Sequence, residues 1–239
     1  MKYSTSLMVS ALLFSANAAA KDADPESLWK ASAELGYVST SGNTNTQTLN
    51  AKGMVSTDRK DWRHKAQISA MNSSDDDITT AEKYNLIGQS DYKLAGDKNF
   101  LFGVIDYEND KFSGYQYRVS ESVGYGRRMI EDTDLTLDLE IGPGARQSKL
   151  DDGTTESEGI IRAAANLGWA VSKTSQFGEA LTVEAGEDVT VTKSVTSLSS
   201  KINGNLSMKI TYTYKTTSEV PVGIDDTDTE TAVTLVYNF

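Results

Sequence analysis

From residue 29 onward the chain alternates between apolar and polar positions. Between Leu206 and Lys215 every even position is large and apolar or aromatic, and every odd position is Ser, Thr or Lys. A helix would scatter those apolar side chains around its circumference, whereas a strand puts them all on one face. Trp29, Ala31, Ala33, Leu35 and Tyr37 repeat the pattern, as do Leu135, Leu137, Leu139 and Ile141. So do the odd positions from Ile161 to Val171, and Val233, Leu235, Tyr237 and Phe239. The pattern predicts twelve strands, at 29–39, 46–57, 62–73, 81–94, 99–109, 115–129, 133–147, 157–172, 175–187, 190–203, 205–218 and 229–239. Strands of soluble proteins cluster near roughly 5–6 residues. A tilted strand that crosses a membrane needs roughly 9–11, and nearly all of these are at least that long.

The connections also alternate. The even-numbered gaps are tight, at 58–61, 95–98, 130–132, 173–174 and 204. The odd-numbered gaps, at 40–45, 74–80, 110–114, 148–156 and 219–228, are longer, with 188–189 as the exception. Short turns at one end and long loops at the other characterise antiparallel transmembrane barrels, with the short turns toward the periplasm. In lipid every backbone donor and acceptor needs an internal partner, so such a sheet must close on itself. The expected fold is an all-β, antiparallel transmembrane β-barrel of outer-membrane type with twelve strands. Trp29, Trp62, Tyr92, Trp169, Tyr214 and Tyr237 sit at strand ends, where an aromatic girdle meets the membrane interface. A large soluble β-sandwich is the competing reading, and strands of this length argue against it. Glu121 and Glu179 fall on the apolar faces of their strands, so either a bulge shifts the register there or the boundaries differ.

Composition agrees. Mean hydropathy is −0.42, and after residue 20 no apolar run approaches the roughly 18–20 residues of a spanning helix. Residues 1–20 read as a secretory signal peptide: Lys2, then Leu7–Val9 and Ala11–Phe14, then the small run Ala16–Ala20, with cleavage after Ala18 or Ala20. Residues 21–28 are then a short periplasmic segment and 29–239 the barrel, in the outer membrane of a Gram-negative bacterium. The net charge of −11 argues against nucleic acid. Cysteine is absent and His64 is the sole histidine, which excludes disulfides, thiolate catalysis and multi-His metal sites. No cofactor is expected.

The chain stops at Phe239, with Tyr237 and Leu235 on the same face. A terminal aromatic on an alternating strand resembles the signal read by the barrel assembly machinery. Three stretches add a family resemblance: Thr40-Ser41-Gly42-Asn43-Thr44, Asp106 to Gly114 and Gly124-Tyr125-Gly126. Together with the last strand they resemble the salt-induced outer-membrane proteins (YdiY-like), a family of unknown function. The resemblance implies an outer-membrane barrel and carries over no catalytic residue.

Alternation sends a mixed set of charges inward. The candidate lumen lining is Lys30, Glu34, Lys52, Arg63, Lys65, Lys83, Arg118, Asp138, Glu140, Arg162, Lys209 and Lys215, accompanied by Asp91, Lys93, Asp106, Glu108 and Glu184. Such a lining sets selectivity if the lumen is open, and closes it if the charges pair with one another. Eight strands are filled by side chains and 16–18 hold an open channel, so twelve leaves both readings standing. The leading reading is a small passive pore for ions or small solutes, linked through the resemblance to salt or envelope stress. The alternative is a non-conducting structural or surface-interaction barrel. The long loops hold twelve acids, Asp75 to Asp77 and Asp225, Asp226 and Asp228 among them, against Lys111 and Lys149. An acidic mouth concentrates cations or bridges divalent ions to lipopolysaccharide; solvated loops are the plainer reading. Outer-membrane lipid, lipopolysaccharide and the assembly machinery are the expected partners. A lipid-directed enzyme built on His64 lacks a visible nucleophile.

Overall fold

The computed structural model describes residues 29–39, 46–76, 78–96, 98–111 and 113–239. The signal peptide, the 21–28 segment and Thr40–Thr44 lie outside the described residues. Twelve strands form: β1 (Trp29–Ser39), β2 (Thr46–Asp58), β3 (Trp62–Asp75), β4 (Ile78–Lys93), β5 (Asn99–Asp110), β6 (Tyr115–Glu131), β7 (Leu135–Leu150), β8 (Thr155–Ala170), β9 (Ser175–Gly186), β10 (Thr190–Asn203), β11 (Leu206–Thr217) and β12 (Thr227–Asn238). Each pairs antiparallel with its sequence neighbour, and β1 closes on β12. The alternation of the sequence is thus the wall of a closed barrel with no free edge.

Some strands run past the expected bounds and others stop short: β7 begins at Leu135 rather than residue 133, and β8 ends at Ala170 rather than 172. β4 begins at Ile78 rather than residue 81, and β8 at Thr155 rather than 157. Thr79, Thr155 and Glu156 continue the ladders beyond the apolar band, where water replaces lipid and alternation carries no signal. The 187–189 connection is a tight turn at the loop end, closed by Gly186 N–H donating to the Val189 carbonyl at 3.0 Å.

The core is inverted relative to a soluble protein. Leu35, Ile68, Val123, Ile141 and Leu235 lie on the outer wall, each more than half exposed. Glu34, Asp91, Glu140, Arg146 and Arg162 are buried inside. At the short-turn end the outer wall carries Trp29, Trp62, Tyr92, Tyr125, Trp169 and Tyr237. At the loop end it carries Tyr37, Tyr84, Tyr107, Tyr212 and Tyr214. Two aromatic girdles therefore bound the apolar band.

No bulge turns Glu121 or Glu179 inward. Glu121 stands opposite Ile105 and Ala145, away from the register shifts of both ladders, and is exposed on the outer face. Glu179 also faces outward, and accepts hydrogen bonds from Ser194 Oγ at 2.6 Å and Thr196 Oγ1 at 2.5 Å across the β9–β10 ladder. The second carboxylate is thereby solvated by its own wall; the first makes no hydrogen bond among the described residues.

The closing seam differs from the other eleven. Among the described residues β1 is in register with β12 from Ser32 opposite Asn238 to Leu35 opposite Leu235. β2 pairs with β3 along its full length. Phe239 N–H extends the seam by donating to the Ala31 carbonyl at 2.9 Å.

Candidate functional site: the barrel lumen

One half of the inner wall is built from aromatic rings, guanidinium groups and carboxylates. Phe100 and Phe102 of β5 point inward over β6, and glycines make the room. A Cβ at Gly126 would stand 2.2 Å from the Phe100 ring, and one at Gly124 2.8 Å from Phe102. The Gly124-Tyr125-Gly126 motif is thus a seat for two rings, with Tyr125 on the outer wall between them. The Arg63 guanidinium lies 4.9 Å from the Phe100 centroid and that of Arg162 lies 5.4 Å from Phe102, within cation–π range.

The same guanidinium groups hold carboxylates. Arg63 Nε donates to Asp91 at 2.7 Å, and Arg63 Nη1 lies 3.4 Å from Asp138. Arg128 donates twice to Asp138, at 2.8 and 2.9 Å. Arg162 donates to Glu140 at 2.8 Å, and the Gln89 amide bridges Glu140 at 2.8 Å and Asp91 at 2.9 Å. Nearer the loops, Lys215 donates to Glu108, which also lies 3.4 Å from Lys83; Lys83 reaches Asp110 at 3.5 Å. Asn85 donates to Asp106 at 2.5 Å. Arg146 pairs with Glu158 at 2.6 Å and with Glu184 at 3.7 Å. Arg118 donates to Ser148 at 3.3 Å and lies 4.3 Å from the Tyr115 centroid.

The opposite wall, from β10 through β12 and β1 to β3, carries lysines. Lys209 donates to Glu34 at 3.0 Å. Lys52, Lys65 and Lys193 make no ion pair among the described residues. A cavity of about 490 Å³ lies between the two walls. Lys52, Lys65, Lys193 and Lys209 line it on one side, and Asp106, Glu108, Asp138 and Arg162 on the other.

Eight of the twelve candidate lining residues are held in ion pairs: Glu34, Arg63, Lys83, Asp138, Glu140, Arg162, Lys209 and Lys215. Arg118 packs on Tyr115, Lys52 and Lys65 face the cavity unpaired, and Lys30 is exposed opposite Ser56 near the short-turn end. Lys193, Arg128, Arg146 and Glu158 belong to the same lining and were not among the candidates. Lys193 was hidden because the outward positions of β10, Thr192, Ser194 and Thr196, are polar too, so that strand alternates weakly.

His64 lies on the outer wall, stacked on Trp62 with centroids 5.6 Å apart. Its Nδ1 is 2.8 Å from the Ser90 hydroxyl, a neighbour the sequence did not reveal. This pair belongs to the aromatic girdle, and among the described residues no carboxylate hydrogen-bonds His64 to orient its ring. At the rim Asp152 accepts the Thr154 N–H at 2.7 Å, which holds its carboxyl below the usual range. Hydrogen bonding to Glu82 holds the Lys111 ammonium above its own.

A family model described as "Protein of unknown function, DUF481" matches residues 33–239. The chain belongs to the DUF481 family. This DUF481 chain is 28% identical to the uncharacterized protein YdiY of Escherichia coli (strain K12), over 97% of this chain and 95% of that protein. Its barrel resembles an outer-membrane channel from Pseudomonas putida F1 with TM-score 0.51 and 9% identity, over 91% of this chain and all of that one. It resembles the NanC porin with TM-score 0.50 and 13% identity, over 87% of this chain and 98% of that one. At these identities the likeness speaks for the fold alone: the DUF481 chain is a closed twelve-stranded antiparallel barrel of outer-membrane architecture.

Proposed function

We propose that the DUF481 barrel is a small passive channel for ions or small solutes in the outer membrane of a Gram-negative bacterium. The observation that carries this reading is the cavity of about 490 Å³ inside the barrel, walled by charged side chains. A lumen built only to be filled would bring the two walls together and pair their charges, whereas Lys52 and Lys65 face open space. The likeness to the P. putida channel and the NanC porin supports the same reading. The signal peptide serves export, and Leu235, Tyr237 and Phe239 serve as the assembly signal, with the Tyr237 and Phe239 rings packed edge to face at 4.9 Å. Lipid and lipopolysaccharide surround the apolar band. A link to salt or envelope stress rests on the family resemblance.

One observation favours the second reading, a non-conducting barrel. The ion pairs of Arg63, Arg128 and Arg162 knit β3 to β8 across the inner wall toward the short-turn end. Planar-bilayer recording of the refolded protein under a salt gradient decides. Reproducible conductance steps are expected. A silent bilayer, with folding verified by heat-dependent gel mobility, would leave the non-conducting barrel.

A further inference from the structure

Four lysines converge on the cavity, and most of the carboxylates near them are already held by another cation. Lys52 is within electrostatic reach of Lys65, Lys193 and Lys209, and of Glu34, which stands opposite it on β1. Glu34 already accepts from Lys209 at 3.0 Å. Lys65 is within reach of Glu140 and Asp91, but Arg162 holds the first at 2.8 Å and Arg63 the second at 2.7 Å. Lys193 acts on Asp106 and Glu108; Lys215 already holds Glu108, and Asp106, bonded only by the neutral Asn85 amide, offsets the charge of Lys193 in part. Ammonium groups crowded around a partly enclosed space repel one another, and an anion placed between them turns that repulsion into attraction.

We propose that Lys52, Lys65, Lys193 and Lys209 form a binding station for a small organic polyanion, a solute with two or three negative charges. That the solute then passes through the barrel rests on the channel reading; the station itself does not. The residue type narrows the ligand. Arg63, Arg128, Arg146 and Arg162, whose planar forks would read the geometry of one carboxylate or phosphate, are committed to the protein's own acids. Arg118, which also lines the cavity, is turned to Ser148 and the Tyr115 ring, and the other free cations there are lysines, compact charges with no planar preference. Such a station reads charge and size rather than shape, and holds its ligand loosely enough for release. A volume of about 490 Å³ suits a small metabolite. The acidic loops do not bar entry, because exposed charges are screened over about 8 Å at physiological salt.

Citrate is the probe. Isothermal titration calorimetry of the refolded protein at low salt should show saturable citrate binding that weakens with added sodium chloride and has no counterpart for glycerol. Lys52→Gln combined with Lys65→Gln should weaken it at least about tenfold, since two unit charges are lost. Lys173→Gln, in a short turn, should bind as the parent does. Lys65→Gln alone should give a smaller loss in the same direction, which covers the case of a double variant that does not refold. Absence of saturable binding by the parent, or equal affinity in the lysine variants, overturns the station. Bilayer recording separates the two readings. A conducting barrel that neither binds citrate nor is blocked by it keeps the channel and loses the station. A silent barrel that binds citrate keeps the station and loses the channel.

Discussion

Arg146 donates to Glu158 at 2.6 Å with its side chain 1% exposed, and Glu158 in turn accepts the N–H groups of Asp188 and Val189 at 3.2 and 3.3 Å. Arg146 also donates to the Val189 carbonyl. One buried ion pair thus ties β7 and β8 to the turn between β9 and β10. This is why the 187–189 connection stays tight at an end where the other loops are long. Glu158→Ala strands a buried guanidinium with only the more distant Glu184, and should cost about 3 kcal/mol of unfolding free energy. Urea unfolding in lipid vesicles measures it; a loss within error would mean that Glu184 compensates.

Gly126 leaves no room for a methyl group beneath Phe100. Gly126→Ala should displace the ring, disturb the Arg63–Asp91 pair above it, and cost roughly 1–3 kcal/mol. The same substitution at Gly96, in an open turn with nothing near its Cβ position, disturbs no packing, although its positive φ makes an alanine there strained. A thermal melt followed by gel mobility compares the two, and a Gly126→Ala barrel as stable as its parent would place Phe100 elsewhere.

The two outward glutamates should respond differently to replacement by leucine. Glu121→Leu removes an unbonded carboxyl group from the lipid-facing wall and should stabilise the barrel in bilayers by about 1–2 kcal/mol. Glu179→Leu also removes the acceptor of Ser194 and Thr196, so its gain should be smaller or absent. Equal gains at the two sites would show that those hydrogen bonds contribute little.

Much of the architecture was legible because a barrel wall obeys a period of two and lipid enforces it. Leu206 to Lys215 or Ile161 to Val171 admit one register. Where lipid stops enforcing, the text fades, as at the polar starts of β4 and β8 and along β10, whose polar outer face conceals Lys193. The lumen was half legible. Alternation says that Lys52, Glu140 and Arg162 face inward. It does not say that Glu140 meets Arg162 while Lys52, opposite Glu34, makes no ion pair among the described residues. That depends on strand stagger and on Phe100 and Phe102 filling one side, which no local spacing encodes.

If the barrel conducts, Glu108 governs its selectivity near the loops, because among the described residues it alone pairs with Lys215, and it shares Lys83 with Asp110. Glu108→Gln frees a positive charge and should move the reversal potential toward anion preference. Recordings under a potassium chloride gradient test the sign; an unchanged potential would put the narrowest point of the lumen elsewhere.

The outer turn at 150–154 should be sensitive to acid. The Asp152 carboxyl sits below its ordinary range because its ionised form accepts the Thr154 N–H. Its contribution is fully present above the ordinary aspartate range and disappears as pH falls through the lowered value. In NMR titrations the Thr154 amide should shift with the Asp152 carboxyl, and Asp152→Asn should remove that transition.

The short seam between β1 and β12 has a kinetic meaning. These strands come from opposite ends of the barrel sequence, so joining them closes the longest loop in the molecule and carries the largest entropic cost of any pairing. The other eleven ladders join neighbours and can zip locally. Closure is therefore the natural final event of folding. A chain halted before β12 would present two bare strand edges at once, and would remain open to pairing with another chain until the last segment arrived.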